Sequence, residues 1–172
     1  IGMVGRFESH KDQRSLIKAT KILKNRGVDT KLFLVGDGSL KDELIELSKN
    51  LNLSKEVFFL GVRNDIENVL NKFDIFAFST TVNEGFGIAM AEAMGKGLPI
   101  IASDVGACRE TLHNGKCGNL VKAHSAISIA KGIEKIISNL DETYKKREYA
   151  HSYAINNFTK KQMAKNYLKE LE

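Results

Sequence analysis

The sequence predicts a doubly wound α/β fold, a parallel sheet covered by helices on both faces. Three observations carry this prediction. Short, nearly unbroken apolar runs recur through the first 102 residues. Strands buried on both faces read this way, rather than alternating apolar with polar. Each run is followed by a stretch with helical apolar spacing, as βα units require. The composition is that of an ordinary globular chain, 42% hydrophobic and 27% charged with one proline, so disordered and fibrous classes are excluded. A length of 172 residues suits a single domain, 1–172. At that size roughly 70% of the unfolded chain's surface can be buried, so neither a disulfide nor a metal is needed for stability.

Ile1–Gly5 is expected as the first strand, followed by a helix over about 11–26 with Leu16, Ala19, Ile22 and Leu23 on one side. Lys31–Val35 is the second strand, closed by Gly36-Asp37-Gly38. Ser39 then fits the N-cap of a helix reaching about Leu51, with Leu40, Leu44, Leu47 and Leu51 as its buried stripe. Val57–Leu60 is a third strand, 64–72 a short helix, Asp74–Phe78 a fourth strand, 86–96 a helix and Leu98–Ala102 a fifth strand. Beyond residue 120 the pattern is helical, over about 124–139, 141–156 and 159–171.

Ligands of such sheets bind beyond the carboxyl ends of the strands. The loops to inspect are therefore 5–11, 36–39, 61–65, 79–87 and 103–108. The first holds Gly5-Arg6 and Lys11. Two cations beside a helix N-terminus suit a diphosphate, with Arg forking across oxygens and Lys acting as a point charge. Alone, that pair reads as surface charge. There is no GxGxxG, and Gly36-x-Gly38 reads as a tight turn, so a nicotinamide dinucleotide site is disfavoured.

The fourth loop carries the most information. Asn83-Glu84-Gly85-Phe86-Gly87 runs directly into Ile88-Ala89-Met90-Ala91-Glu92. The glycines expose backbone N–H groups at a helix start, a ready anion site. Glu84, just before that start, suits hydroxyls of a ligand whose phosphate takes the amides. Glu92 lies eight residues on, roughly 12 Å if the segment is fully helical. That separation suits the two ends of one elongated ligand, not an acid/base pair on one bond. The plain alternatives are a dipole-favoured carboxylate for Glu84 and a salt-bridged helix residue for Glu92. Together the groups describe a sugar–diphosphate–nucleoside.

Charge is 26 Lys+Arg against 21 Asp+Glu. Lys11, Arg14, Lys18, Lys21, Lys24 and Arg26 against Asp12 account for all of the +5 excess. The cations at helical spacing read as a solvated face, or as peripheral contact with an anionic membrane. No aromatic residues are interleaved with them, so nucleic acid is not an expected partner. Cys108 and Cys117 form no metal-ligand spacing, and the histidines are scattered. Sparse cysteines point to a cytoplasmic chain with reduced thiols. The chain opens on IGMVGR with no signal peptide and no initiator Met, which reads as a piece cut from a longer protein.

These motifs, in this order, resemble the C-terminal, donor-binding half of a GT-B glycosyltransferase of family 4, a group of retaining enzymes. The matching pieces are VGR at 4–6 with Lys11, LVGDGSLKDEL at 34–44, FLGVRNDI at 59–66 and the Asp74–Phe78 strand. EGFGIAMAEAM at 84–94, GLPIIASDVGACRETL at 97–112, GKCGNLV at 115–121 and the closing FTKKQMAKNYLKELE complete the set. The resemblance implies a Rossmann-like domain with a helical tail, and transfer of a sugar from a nucleotide diphosphate sugar to a glycan, lipid-linked or protein acceptor. A UDP-sugar is the expected donor. It implies that Arg6, Lys11 and Glu84 serve catalysis: the cations on the diphosphate, Glu84 on the transferred sugar. Gly5, Gly85, Phe86, Gly87 and Ile88 would complete the donor site, Glu92 would bind the ribose, and Val62-Arg63 would face the base. No cofactor or metal is expected, and the eight aspartates contain no Asp-x-Asp.

Two positions depart from the family pattern. Asp12 follows Lys11 where a small residue is usual, which could tighten or reorient that loop. Phe78-Ser79 replaces a proline-serine ending, with no functional consequence expected. The N-terminal half, which in the family supplies the acceptor site, is not in this sequence, so these residues alone are expected to bind donor weakly and transfer nothing. Other readings are a sugar-nucleotide epimerase, a glucan synthase or phosphorylase, or a noncatalytic scaffold domain. The phosphorylase would need a cofactor lysine for which there is no signal. Retention of Arg6, Lys11, Glu84 and Glu92 argues against the scaffold.

Overall fold

The computed structural model describes residues 1–159 and residue 162. Six strands form one parallel sheet: β1 (Gly2–Val4), β2 (Leu32–Val35), β3 (Val57–Phe59), β4 (Phe76–Phe78), β5 (Ile100–Ser103) and β6 (Asn119–Val121), ordered β3-β2-β1-β4-β5-β6. The intervening helices are α1 (Gln13–Asn25), α2 (Lys41–Asn50), α3 (Ile66–Leu70), α4 (Ile88–Gly95) and α5 (Gly106–Thr111). Two more close the described chain, α6 (Ala126–Ser138) and α7 (Leu140–Asn157). The fold is Rossmann-like, with the helical C-terminal tail that the sequence predicts.

Side-chain alternation divides the core. Met3, Leu34, Ala77 and Ile101 face α1, α2 and α6, whereas Phe76, Phe78, Ile100 and Ala102 face α3, α4, α5 and α7. Both faces are therefore apolar, which explains the unbroken runs in the sequence.

Three details differ from the sequence expectation. The strand β6 and the short helix α5 go beyond the elements that the sequence predicts. β6 is a three-residue edge strand whose side chains are only half-buried, so it lacks the apolar run of its neighbours. α5 begins on Gly106 and is too short for a periodic signal. Ser39 is not the cap of α2, which starts after Leu40; its hydroxyl instead donates to the Glu8 carboxylate at 2.9 Å. The helix expected at 159–171 lies outside the described residues, apart from Thr159 and Gln162.

The basic excess of 11–26 is spread over several neighbours. Lys11 pairs with Glu84, Arg14 with Glu43, Lys24 with Glu56 and Arg26 with Glu134, leaving two of the six cations, Lys18 and Lys21, without an ion pair among the described residues. No helix among the described residues is long and apolar enough to cross a membrane.

The turn at 36–38 braces the first loop. Gly5 N–H donates to Val35 O at 3.0 Å, Phe7 N–H to Asp37 O at 2.9 Å, and Leu40 N–H to Phe7 O at 3.0 Å. Gly36 has φ +137°, and a Cβ there would lie 2.1 Å from Gly5 O. Glycine is needed for both the conformation and the approach. Gly36→Ala should therefore destabilise the domain by about 2 kcal/mol or more, lowering the melting temperature by about 4–8 °C. A thermal melt unchanged from wild type would refute this packing.

Candidate functional site

The sheet order places a topological switch point between β1 and β4: from β1 the chain winds one way through β2 and β3, and from β4 the other way through β5 and β6. The loops leaving these two strands, 5–12 and 79–87, flank the crevice where such sheets bind ligands. They are joined by backbone and side-chain bonds: Asp12 N–H to Ser79 O at 3.2 Å, Thr81 N–H to His10 O at 2.9 Å, and Thr80 hydroxyl to His10 O at 2.8 Å.

Within the first loop, Phe7 inserts into the core and meets the Phe59 ring edge-on. Gln13, 1% exposed, donates to the Arg6 carbonyl at 2.9 Å. These anchors fix the backbone while leaving the Arg6 side chain exposed, with no ion pair or side-chain hydrogen bond among the described residues. The amide of Gly5 is occupied by Val35, so Gly5 contributes space beside Lys11 rather than a donor.

Lys11 reaches across the crevice to Glu84, 73 residues away in sequence. The two side chains are 12% and 9% exposed. The Lys11 ammonium also stands 4.7 Å from the centroid of the Phe78 ring, a cation–π contact. The buried Thr80 hydroxyl, whose single proton is shared between His10 O and Glu84, lies 3.1 Å from Glu84 Oε2, and Gly85 N–H donates to Oε1 at 3.2 Å. Thr80 is held in turn by Ser103, whose hydroxyl accepts from the Thr80 amide at 2.9 Å. The carboxylate is thus aimed by three groups from β1 and β4 loops.

The helix α4 starts at Ile88, not 86, with Gly87 as its N-cap at φ +78°. A Cβ at Gly87 would press on the Phe78 ring at 3.2 Å. No side chain among the described residues caps this helix, so its first amides are available to a ligand. Ile88 and Glu92, four residues apart, share one exposed face of α4. Helical rise thus covers four of the eight residues between Glu84 and Glu92. The Glu92 carboxylate forms no ion pair among the described residues.

Val62 and Arg63 are not brought into this cluster. They follow β3, two strands from the switch point. Val62 is exposed, and Arg63 is bound to Asp65 through two 2.8 Å hydrogen bonds. That guanidinium holds the Asp65 carboxyl below the usual carboxylate range. Arg63 borders a groove of about 310 Å³ floored by Phe33, Leu60 and Phe73.

Thr80, Gln13 and Thr111, whose hydroxyl donates to Phe86 O at 2.7 Å, were not singled out from sequence. Only Thr80 carried a signal, as a polar residue ending a buried strand at the carboxyl edge. Cys108 of α5 is fully buried beneath the crevice. Burial, helped by the negative Glu84 and Asp104, pushes its thiol up to about 12 from 9.0, against a lowering influence of Lys11. Cys117 is pushed up to about 11, again by burial. Neither thiol suits a nucleophile.

The sequence profile of the family described as glycosyl transferases group 1 matches residues 1–157. The chain belongs to that family. It is 38% identical over 104 residues, 60% of this chain and 27% of the relative, to the putative glycosyltransferase EpsF of Bacillus subtilis. It is 32% identical over 171 residues, 98% of this chain and 45% of the relative, to a Campylobacter jejuni enzyme. That relative is named N-acetylgalactosamine-N,N'-diacetylbacillosaminyl-diphospho-undecaprenol 4-alpha-N-acetylgalactosaminyltransferase. The structure superposes on Anabaena Alr3699/HepE in complex with UDP-glucose with a TM-score of 0.90 and 27% identity, covering 99% of this chain and 47% of that one. The chain spans less than half the length of these proteins.

Two predictions follow from the buried groups. Lys11→Met leaves Glu84 short of a partner and should cost about 2 kcal/mol, while adding Glu84→Gln should recover part of that loss. Strictly additive effects in denaturant melts would count against the pairing. The unfolded chain releases its thiol protons near pH 9, but the fold retains them to about 11 and 12. The unfolded state therefore binds fewer protons above pH 9, and stability should fall as pH rises through 9–11. Urea midpoints across that range should drop less in Cys108→Ala than in wild type.

Proposed function

We propose that this glycosyl transferases group 1 domain is the donor-binding half of a retaining glycosyltransferase that uses a nucleotide diphosphate sugar, with a UDP-sugar as donor. The observation that carries this reading is the meeting of Lys11 with Glu84 at the switch point, beside an α4 N-terminus and an Arg6 guanidinium that have no side-chain partner among the described residues. A diphosphate needs cations and amides, and sugar hydroxyls need a fixed carboxylate. The complexes of HepE with UDP, with UDP and glucose, and with UDP-glucose support the same ligand class.

In this reading the two ions exchange partners when the donor arrives. The diphosphate takes up Lys11 and the fork of Arg6, while hydroxyls of the transferred sugar donate to Glu84. The amides of Phe86, Gly87 and Ile88 face phosphate or sugar, and exposed Glu92 accepts the ribose hydroxyls. The bond from the anomeric carbon to the leaving oxygen breaks with its electron pair going to the diphosphate, while an acceptor hydroxyl oxygen bonds to that carbon and gives its proton to the released diphosphate. Arg6 and Lys11 then stabilise the charge that develops there. No metal is invoked for that stabilisation. The base would lie toward Val62 on the β3 side, where the loop backbone rather than the occupied Arg63 side chain faces it.

The acceptor would be bound by the part of the protein outside these residues. The name of the Campylobacter relative, which describes addition to a diphospho-undecaprenol-linked sugar, favours a lipid-linked glycan. Such an acceptor would bring the enzyme to a cytoplasmic membrane face, where Lys18 and Lys21 could meet anionic lipid.

A thermal-shift panel with UDP, GDP and ADP tests the donor site. With a dissociation constant on the order of 1 mM, about 5 mM nucleotide should add roughly 1 kcal/mol, a rise of about 2–4 °C. The rise should occur with UDP and vanish in Glu92→Ala. In the full-length enzyme Glu84→Ala should abolish most turnover, while Glu92→Ala should mainly raise the donor KM. Near-normal kinetics in both variants would overturn the assignment.

A further inference from the structure

Between Glu84 and the exposed Ile88, the loop has one side chain through which the fold can hold it. Gly85 and Gly87 have none, and their backbones are intrinsically loose. Phe86 is that handle. Its carbonyl accepts the hydroxyl of buried Thr111, and its ring meets Phe158 edge-on, with centroids 5.1 Å apart at 84°. Phe158 follows the last turn of α7. It is held in its turn by Tyr153, also edge-on, at 5.5 Å. Tyr153 stacks on His113 at 4.8 Å, and His113 Nδ1 lies 2.9 Å from the Tyr149 hydroxyl.

The C-terminal half of α7 is seated against α4. Ala150 and Ala154 are buried, allowing close approach, and α7 packs on α4. His151 Nδ1 is 2.8 Å from Gly95 O at the far end of α4, while Phe158 meets Phe86 just before its near end. The two helices are thus antiparallel, and α7 touches α4 at the terminus opposite the loop as well as at the loop itself.

We infer that Phe158 is a positioning residue for the 84–87 loop, acting through the Phe86 ring to hold the loop amides and Glu84 in a ligand-ready arrangement. The inference rests on the donor reading above. Lys11 and Thr80 secure the Glu84 end of the loop, and Phe158 with Thr111 secures the other end. Phe158 touches no donor in this account; its effect passes through the loop backbone.

Hydrogen exchange on the 172-residue chain tests this without a ligand. Phe158→Ala should speed exchange of the hydrogen-bonded amides at the two ends of the loop, Gly85 and Met90, roughly fivefold, as expected for loss of an aromatic pair. Phe158→Leu, which keeps apolar bulk and folding, should give a smaller acceleration. Tyr144→Ala, at the far end of α7, should give none. UDP-glucose should protect the same amides in wild type, with an apparent dissociation constant raised severalfold in Phe158→Ala and partly rescued in Phe158→Leu. Unchanged loop exchange in Phe158→Ala, or an equal acceleration throughout β4 and β5, would overturn the positioning role. If the loop loosens in Phe158→Ala but UDP-glucose protects nothing in wild type, the strut stands and the donor reading fails. If UDP-glucose protects wild type while Phe158→Ala behaves identically, the donor reading stands and the strut fails.

Discussion

The adjacency of β1 and β4 is the constraint on which the rest of the site depends. These strands are separated by two βα units, yet they are hydrogen-bonded neighbours because the chain winds outward from them in opposite directions. Loops leaving neighbouring parallel strands in a continuous winding are each covered by the next helix. At a reversal they are not, and a crevice opens. Residues 10–12 and 79–81 close its floor by exchanging backbone hydrogen bonds. Lys11 and Glu84 face one another only because that floor sets their separation.

Ion pairs this far from water are poor sources of stability. Removing two charges from solvent costs several kcal/mol per ion, and their attraction returns that only with good geometry and further hydrogen bonds. Here the crevice supplies both: Thr80 and the Gly85 amide on Glu84, and the Phe78 face beneath Lys11. Such support for a pair that the core does not need is better understood as preorganisation. In the proposed donor reading, each ion is kept oriented and passes to a ligand group of opposite or complementary character without rearranging the backbone.

The sequence made the sheet legible because its strands are buried on both faces, so every one of the first five stands out as an apolar run. β6 failed to stand out because it is three residues long, opens on Asn119 and keeps all its side chains only half-buried, whereas the opposite edge strand, β3, still reads Val-Phe-Phe. The candidate site was legible through Arg6, Lys11, Glu84 and Glu92, because their spacing and their place after apolar strands, beside loop glycines, suggest an elongated anionic ligand. Its supporting groups were not. Gln13 and Thr111 are ordinary helix residues in sequence, and they act only through backbone carbonyls brought near by tertiary packing. Ser39 shows the reverse error: its type and position fit a helix cap, but the tertiary partner Glu8 wins its hydroxyl. That bond and the Ser39 amide keep the Glu8 carboxyl below its ordinary range.

Asp12 illustrates how a departure from the family pattern is absorbed. Its position beside Lys11 raises the expectation of a tightened or redirected loop, since a carboxylate there could capture the ammonium. It is instead the N-cap of α1, accepting the Ser15 amide at 3.2 Å, and its other oxygen stands 3.3 Å from His124 Nδ1. His124 takes a left-handed conformation, φ +55°, just ahead of the Ser125 cap of α6. The carboxylate is therefore turned along the helix starts on the α1–α6 face, away from the cation it follows in sequence, and its second oxygen accepts no hydrogen bond among the described residues. Capping satisfies an amide that the helix would otherwise leave open, and it fixes where α1 begins. Because Lys11 directly precedes that cap, the same contact that occupies Asp12 also sets the point from which the Lys11 side chain departs toward Glu84.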